Sequence, residues 1–230
     1  MKIWSVTATL TGLLLASIFP GAIAQDKPAG AAPASSPPVE YRPPSRGAPN
    51  TRYGGSTRGL SRGLSLAVIA PDHTGLSATD QPELFWYISQ PVTVPLEFTV
   101  AAVDADDALL QTAIPPVAEA GIQRIRLADY KVKLAPGQEY QWLISFAAKP
   151  GSKAKDAIAS GRVRVQPAST PLSGYQAYAR AGYWYDAIAS LRAEMAQRPN
   201  DAVLADAQQK LLEQVGLTEV ARQERERAPR

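Results

Sequence analysis

Cysteine is absent from all 230 residues. Without it there is no disulfide, no thiolate metal ligand, no thiol nucleophile and no residue for a lipoprotein anchor. A chain without such staples must be held by its own apolar core. Histidine is nearly absent as well. His73 is the single copy, so general-base chemistry near neutral pH has one ordinary candidate. After residue 24 no stretch approaches the ~18 consecutive apolar residues of a membrane helix, and no transmembrane segment is expected in the mature chain. Neither sign of charge dominates, since 24 Lys and Arg face 21 Asp and Glu for a net +3. So near a balance does not describe a polyanion-binding surface, despite the basic pI.

What is present begins with a leader. Lys2 gives a basic start, "LTGLLLASIF" from Leu10 to Phe19 is a short apolar run, and Ala22 and Ala24 place small residues before Gln25. This three-part layout predicts a secretory signal peptide over residues 1–24 and an exported protein, periplasmic, at the cell surface or secreted. Lys2 leaves with the leader, so 23 basic residues remain against 21 acidic ones, or +2. Export also makes nucleic acid an unexpected partner.

Residues 25–51 read as a disordered linker rich in Pro, Ala and Ser, unable to bury enough apolar surface to offset the entropy of ordering. Overlapping its end, "RPPSRGAPNTRYGGSTRGLSRG" (residues 42–63) carries five arginines, five glycines, three prolines and no acid. It reads as a tether whose last part, from about Arg52, lies along the folded domain. The sharper alternative is an arm whose Arg52, Arg58 and Arg62 contact an envelope polyanion through charge-assisted hydrogen bonds.

From residue 52 to 167 the hydrophobic period is two. "ELFWYIS" sets Leu84, Trp86 and Ile88 on one face, "LEFTVAAV" sets Leu96, Phe98 and Val100, and "YQWLISF" sets Tyr140, Trp142, Ile144 and Phe146. One apolar and one wet face per strand predicts antiparallel sheets packed as a sandwich, with Trp86 and Trp142 in the core. "LAPGQEYQW" resembles the corner of immunoglobulin-like and fibronectin-like domains, where a tyrosine hydroxyl bonds back to nearby backbone. The expected fold is mainly β with α: such a sandwich, followed by a short helical region of two to three helices.

That region spans 168–219, where the period becomes 3.6. Ile188, Leu191 and Met195 recur at helical spacing, with Asp186 in the first turn. Val203, Leu204, Ala207, Leu211, Leu212 and Val215 line a later helix that Gly216 stops. Gly182, Ala187, Leu191 and Pro199 resemble the second half of a tetratricopeptide repeat, without a second copy. The helices are therefore expected to pack on the sandwich and not as a solenoid. Residues 220–230 alternate charges and read as a flexible tail.

Chemistry is sparse. Asp104, Asp106 and Asp107 alternate like the opening of a calcium loop but lack its glycine and distal glutamate, and aspartates also suit a tight turn. His73 stands beside Asp72 with no strained nucleophile motif elsewhere, and reads as a solvated turn residue. Glu83, Glu97, Asp129 and Glu139 fall on wet faces or strand ends. No catalytic residue, cofactor or metal site is assigned. "GYWYD" differs, because three consecutive aromatics cannot all face inward on one helix. Tyr183, Tyr185 and Asp186 are thus the candidate binding surface, or the seam between helices and sandwich.

A resemblance covers nearly the whole mature chain. "GAP…RYGGSTRG" (47–59), "GLSATDQPELFWY" (75–87), "PGQEYQW", "YARAGYWYDAIASL" (178–191) and "PNDAVLADAQQKLLEQVGL" (199–217) follow one another in this order. This resembles the exported bacterial family known only as domain of unknown function 928. The resemblance implies a β domain with a helical C-terminal part in the cell envelope, and implies no activity. The expected function is a non-catalytic envelope protein, most simply an adaptor that binds an envelope protein. The alternatives are an envelope hydrolase acting on a polymer, or a surface glycan or polyanion binder.

Overall fold

Alternation along the middle of the chain builds two β-sheets, and the change of period builds four helices after them. The structure is a computed structural model and describes residues 38–44, 53–54, 64–146 and 157–227. The leader at 1–24, most of the linker, Arg52, Arg58, Arg62 and the lysine-rich segment at 149–155 lie outside the described residues.

The strands are β1 (Tyr53–Gly54), β2 (Leu66–Val68), β3 (Gly75–Ser77), β4 (Glu83–Ile88), β5 (Leu96–Ala102), β6 (Ala108–Ile114), β7 (Gly121–Arg126), β8 (Glu139–Phe146) and β9 (Ala157–Val165). A six-stranded sheet runs β1-β9-β8-β5-β6, and β3 pairs with β9 off that path. A three-stranded sheet runs β2-β4-β7. Between these strands all pairings are antiparallel except β3 on β9, where Gly75 stands opposite Val163 and Ser77 opposite Val165. Of the arginine-glycine stretch, Tyr53 and Gly54 pair with Ser160 and Ala159.

Both sheets contribute to one buried cluster. Leu84, Trp86 and Ile88 from β4 meet Phe98, Val100, Trp142, Ile144 and Val163 from the larger sheet there. Gly161 allows the close approach. A Cβ at that position would stand 2.8 Å from the Ala70 Cβ and 3.3 Å from Trp142 Nε1. At the turn into β8, the Ala135 N–H donates to Tyr140 Oη at 3.0 Å, which is the back-bonded tyrosine the "LAPGQEYQW" pattern predicts.

The helices are α1 (Tyr175–Arg180), α2 (Trp184–Gln197), α3 (Ala202–Gln214) and α4 (Thr218–Arg227). Asp201 caps α3, its carboxylate accepting from Val203 N–H at 2.9 Å, and Gly216, at φ 74°, turns the chain out of it.

Four expectations need correction. Among the described residues there are four α-helices and not two or three. Residues 218–227 are helical, with Val220 and Ala221 buried, where a charged tail is expected from 220. Its Arg222 pairs with both Glu219 and Glu226, so the alternating charges reinforce the exposed helix surface while the two apolar residues dock. Second, β4 has no wet face: Phe85 and Tyr87 are as buried as their neighbours, because α2 and α4 cover the outer side, Tyr87 bonding Gln223. Third, Val203 is 56% exposed and leaves the core stripe of α3. Fourth, within the expected linker, Val39 and Tyr41 are buried. These are the only large apolar side chains among residues 38–44, and both find partners on the helical region.

Candidate functional site

The "GYWYD" string lies at the start of α2, and its Trp184 and Tyr185 rings face the sheets. Tyr183 is 6%, Trp184 0% and Tyr185 1% exposed, so they line a seam and present no aromatic surface. Tyr185 Oη accepts from Trp142 Nε1 at 2.9 Å and donates to the Arg162 carbonyl at 2.8 Å. Trp184 Nε1 donates to the Ile69 carbonyl at 2.9 Å. Burial pushes the Tyr185 hydroxyl well above the ordinary phenol range. Gly75 makes room for this ring, since a Cβ there would come within 2.8 Å of Tyr185 Cε2.

Asp186 is the string's half-buried member. Its Oδ2 accepts from the Ala78 N–H at 2.8 Å, tying α2 to the end of β3. Burial raises this carboxyl above the aspartate range, against hydrogen bonds from backbone and Ser77 that draw it down. Asp186 also lines an open cavity of ≈ 500 Å³ together with Glu83, Arg124 and Tyr178.

Three of the other carboxylates, Glu139, Glu83 and Asp129, are held by arginines. Glu139 accepts from Thr74 Oγ1 at 2.8 Å, Arg162 at 3.0 Å and Arg164 at 2.7 Å. Burial pushes its carboxyl up, and the three hydrogen bonds outweigh it and hold it below the usual glutamate range. Glu83 meets Arg124 at 3.5 Å and Asp129 meets Arg126 at 2.9 Å. These carboxylates thus converge on arginines and not on one another. Asp104, Asp106 and Asp107 are exposed in the turn between β5 and β6. Among the described residues no three His, Asp or Glu side chains are grouped to hold a metal ion.

His73 is shielded where a solvated turn residue is expected. Its Nε2 lies 2.9 Å from Tyr41 Oη and its Nδ1 3.1 Å from Asp72 Oδ1. Burial, with the charge of Asp72, pushes the Tyr41 hydroxyl above its ordinary range. Val39, Tyr41 and Gln214 form a second structured surface that the composition of the linker conceals. The trace they leave in sequence is a Val-x-Tyr alternation between prolines.

The remaining feature is an edge. Among the described residues β6 pairs only with β5, leaving the outer side of Ala108–Ile114 without a neighbouring strand. Leu109 is 49% exposed. Beside the end of β6 lies an open cleft of ≈ 710 Å³ lined by Trp86, Ile114, Val117 and Tyr130 among others. The Trp86 Nε1 is buried without a partner.

A family model described as "Domain of Unknown Function (DUF928)" matches residues 53–225. No curated protein and no solved structure matches the chain.

Proposed function

The chain belongs to the Domain of Unknown Function (DUF928) family, and from that premise we propose that it is a non-catalytic cell-envelope protein that binds other proteins. In this reading the β part is an immunoglobulin-like or fibronectin-like sandwich and the helices are a tetratricopeptide-like cap. Support for the sandwich comes from β3 leaving the β2 side to pair in parallel with β9, and from the back-bonded Tyr140. Support for the cap comes from Gly182 at φ 85°, buried Ala187 and Leu191, and Pro199 just after α2. Export is drawn from the leader pattern of residues 1–24.

The observation that carries the binding role is the open edge of β6. An unpaired strand offers a row of backbone donors and acceptors that a partner's extended segment satisfies by adding to the sheet. Leu109 and the cleft beside Ile114 supply apolar contact along the same line. A photo-reactive residue at Leu109 or Gln111 is expected to crosslink a discrete envelope protein in cells, and one at Lys210, on α3, is not. Equal labelling from all three positions, or none from β6, would refute this.

A second reading, an envelope hydrolase acting on a polymer, draws on the cavity where Asp186, raised by burial, stands with Glu83 and Arg124. It is favoured if the wild-type chain releases soluble fragments from purified cell-wall polymer and the Asp186→Asn variant does not.

A further inference from the structure

Residues 38–44 lie on the protein as a peptide lies in a receptor. Burial alternates: Val39 and Tyr41 point in, at 6% exposure each, while Glu40 and Arg42 point out and pair with each other at 2.9 Å. Gln214 on α3 reads the main chain from both sides. Its Oε1 accepts from the Tyr41 N–H at 2.7 Å and its Nε2 donates to the Val39 carbonyl at 3.1 Å, as an adjacent strand would do. The Arg42 N–H donates to the Ala179 carbonyl at 3.1 Å. The Tyr41 ring stands edge-on to Trp184 at 5.0 Å, and its hydroxyl meets His73 Nε2. Gly182 clears the path, because a Cβ there would lie 2.9 Å from the Arg42 carbonyl oxygen.

We propose that this surface is a recognition groove for an extended Val-x-Tyr-Arg-Pro peptide, filled in cis by the chain's own segment and open to a partner polypeptide of that pattern. The main-chain bonds are ones any extended chain offers, and the alternate buried side chains select the sequence. Pro38, Pro43 and Pro44 hold the peptide extended before it docks, which lowers the entropy cost of binding. His73, Trp184 and Gln214 come from three separate parts of the chain, so the tyrosine site exists only in the folded protein. The inference rests on the reading of this chain as a protein-binding module. It shares no residue with β6, so peptide binding and crosslinking from β6 succeed or fail separately.

The test empties the groove in the full chain with Val39→Ala and Tyr41→Ala together. A labelled peptide of residues 36–45 (SPPVEYRPPS) is then titrated by fluorescence anisotropy. It is expected to bind the double variant at least about tenfold more tightly than the wild-type chain, whose own segment competes at an effective concentration on the order of 1 mM. Adding Gln214→Ala is expected to weaken capture about tenfold, the worth of ~1.4 kcal/mol, and a peptide with Ala at both anchors is expected not to bind. Absence of saturable binding to a double variant whose circular dichroism is unchanged overturns the proposal. Should that variant fail to fold, peptide on the order of 1 mM added to isotope-labelled wild-type chain must shift the amide resonances of Val39 and Tyr41, which leave the groove as the peptide takes it, and unmoved resonances overturn it as well. A wild-type dimer that becomes a monomer in the double variant overturns the partner assignment in favour of a second copy of this chain.

Discussion

Tyr185 Oη answers two buried polar groups at once, the Trp142 indole N–H and the Arg162 carbonyl. Replacing it with phenylalanine keeps the ring in its place against Gly75 and removes both bonds. A buried polar group left without a partner costs about 1–3 kcal/mol, so Tyr185→Phe is expected to lower stability by about 2–3 kcal/mol in urea denaturation. A loss below about 0.5 kcal/mol would mean the hydroxyl is spare. Asp186 makes the opposite case. Its folded-state carboxyl holds its proton to a higher pH than the unfolded one does. As pH rises from the ordinary aspartate range, about 3.9, through that raised value, the unfolded chain loses its proton first and this residue's contribution to stability falls. Asn at 186 removes the titration and keeps an oxygen for the Ala78 N–H. Asp186→Asn is therefore expected to gain on the wild-type chain as pH rises from 4 to 7, whereas Asp186→Ala orphans that N–H and loses about 1–2 kcal/mol throughout. A wild-type chain that gained on Asp186→Asn as pH rose would contradict this.

Among elements, the strands were legible because a period of two survives wherever one sheet face meets the core. Leu96, Phe98 and Val100 are buried in turn, as are Tyr140, Trp142 and Ile144. The pattern misled at β4, since the helices cover its second face and Phe85 and Tyr87 serve a second apolar contact. Nothing local distinguishes that from an exposed aromatic pair. In α4, ten residues carry six charged side chains, and a composition rule reads solvent. What decides is the pair Val220 and Ala221, which dock while Arg222, Arg225 and Glu226 face out, and the ring of Tyr87, which meets Gln223 and the Arg227 guanidinium 5.8 Å from its centre. Val220→Asp is accordingly expected to cost about 3 kcal/mol, as in a core. Arg225→Gln on the exposed side should stay within about 0.5 kcal/mol. Thermal melts of the two variants separate a docked helix from a frayed end, for which both changes would be neutral. The aromatic string shows the same limit at the site: its position was readable, its direction was not, because burial of Trp184 and Tyr185 depends on residues of the β part distant in sequence, as the Trp142 to Tyr185 bond illustrates.

At the scale of the molecule, the helices and sheets share one core. Trp184 and Tyr185 belong to α2 by sequence, and their polar atoms are satisfied only by Ile69, Trp142 and Arg162 of the β part. The same holds in reverse for Tyr87, whose hydroxyl partner is on α4. Neither part closes its own polar groups, so neither should persist when the other melts, and unfolding should be a single cooperative transition. Near-ultraviolet circular dichroism follows Trp86, Trp142 and Trp184, two in the sheets and one in the helices, while the far-ultraviolet signal is weighted to the helices. Both are expected to give the same midpoint in urea. Tyr185→Phe should move both midpoints down together, because the bonds it breaks cross the seam. A helical signal that survived after the near-ultraviolet signal was gone would show that the helices are a separate module, and the seam would then be a contact between finished parts.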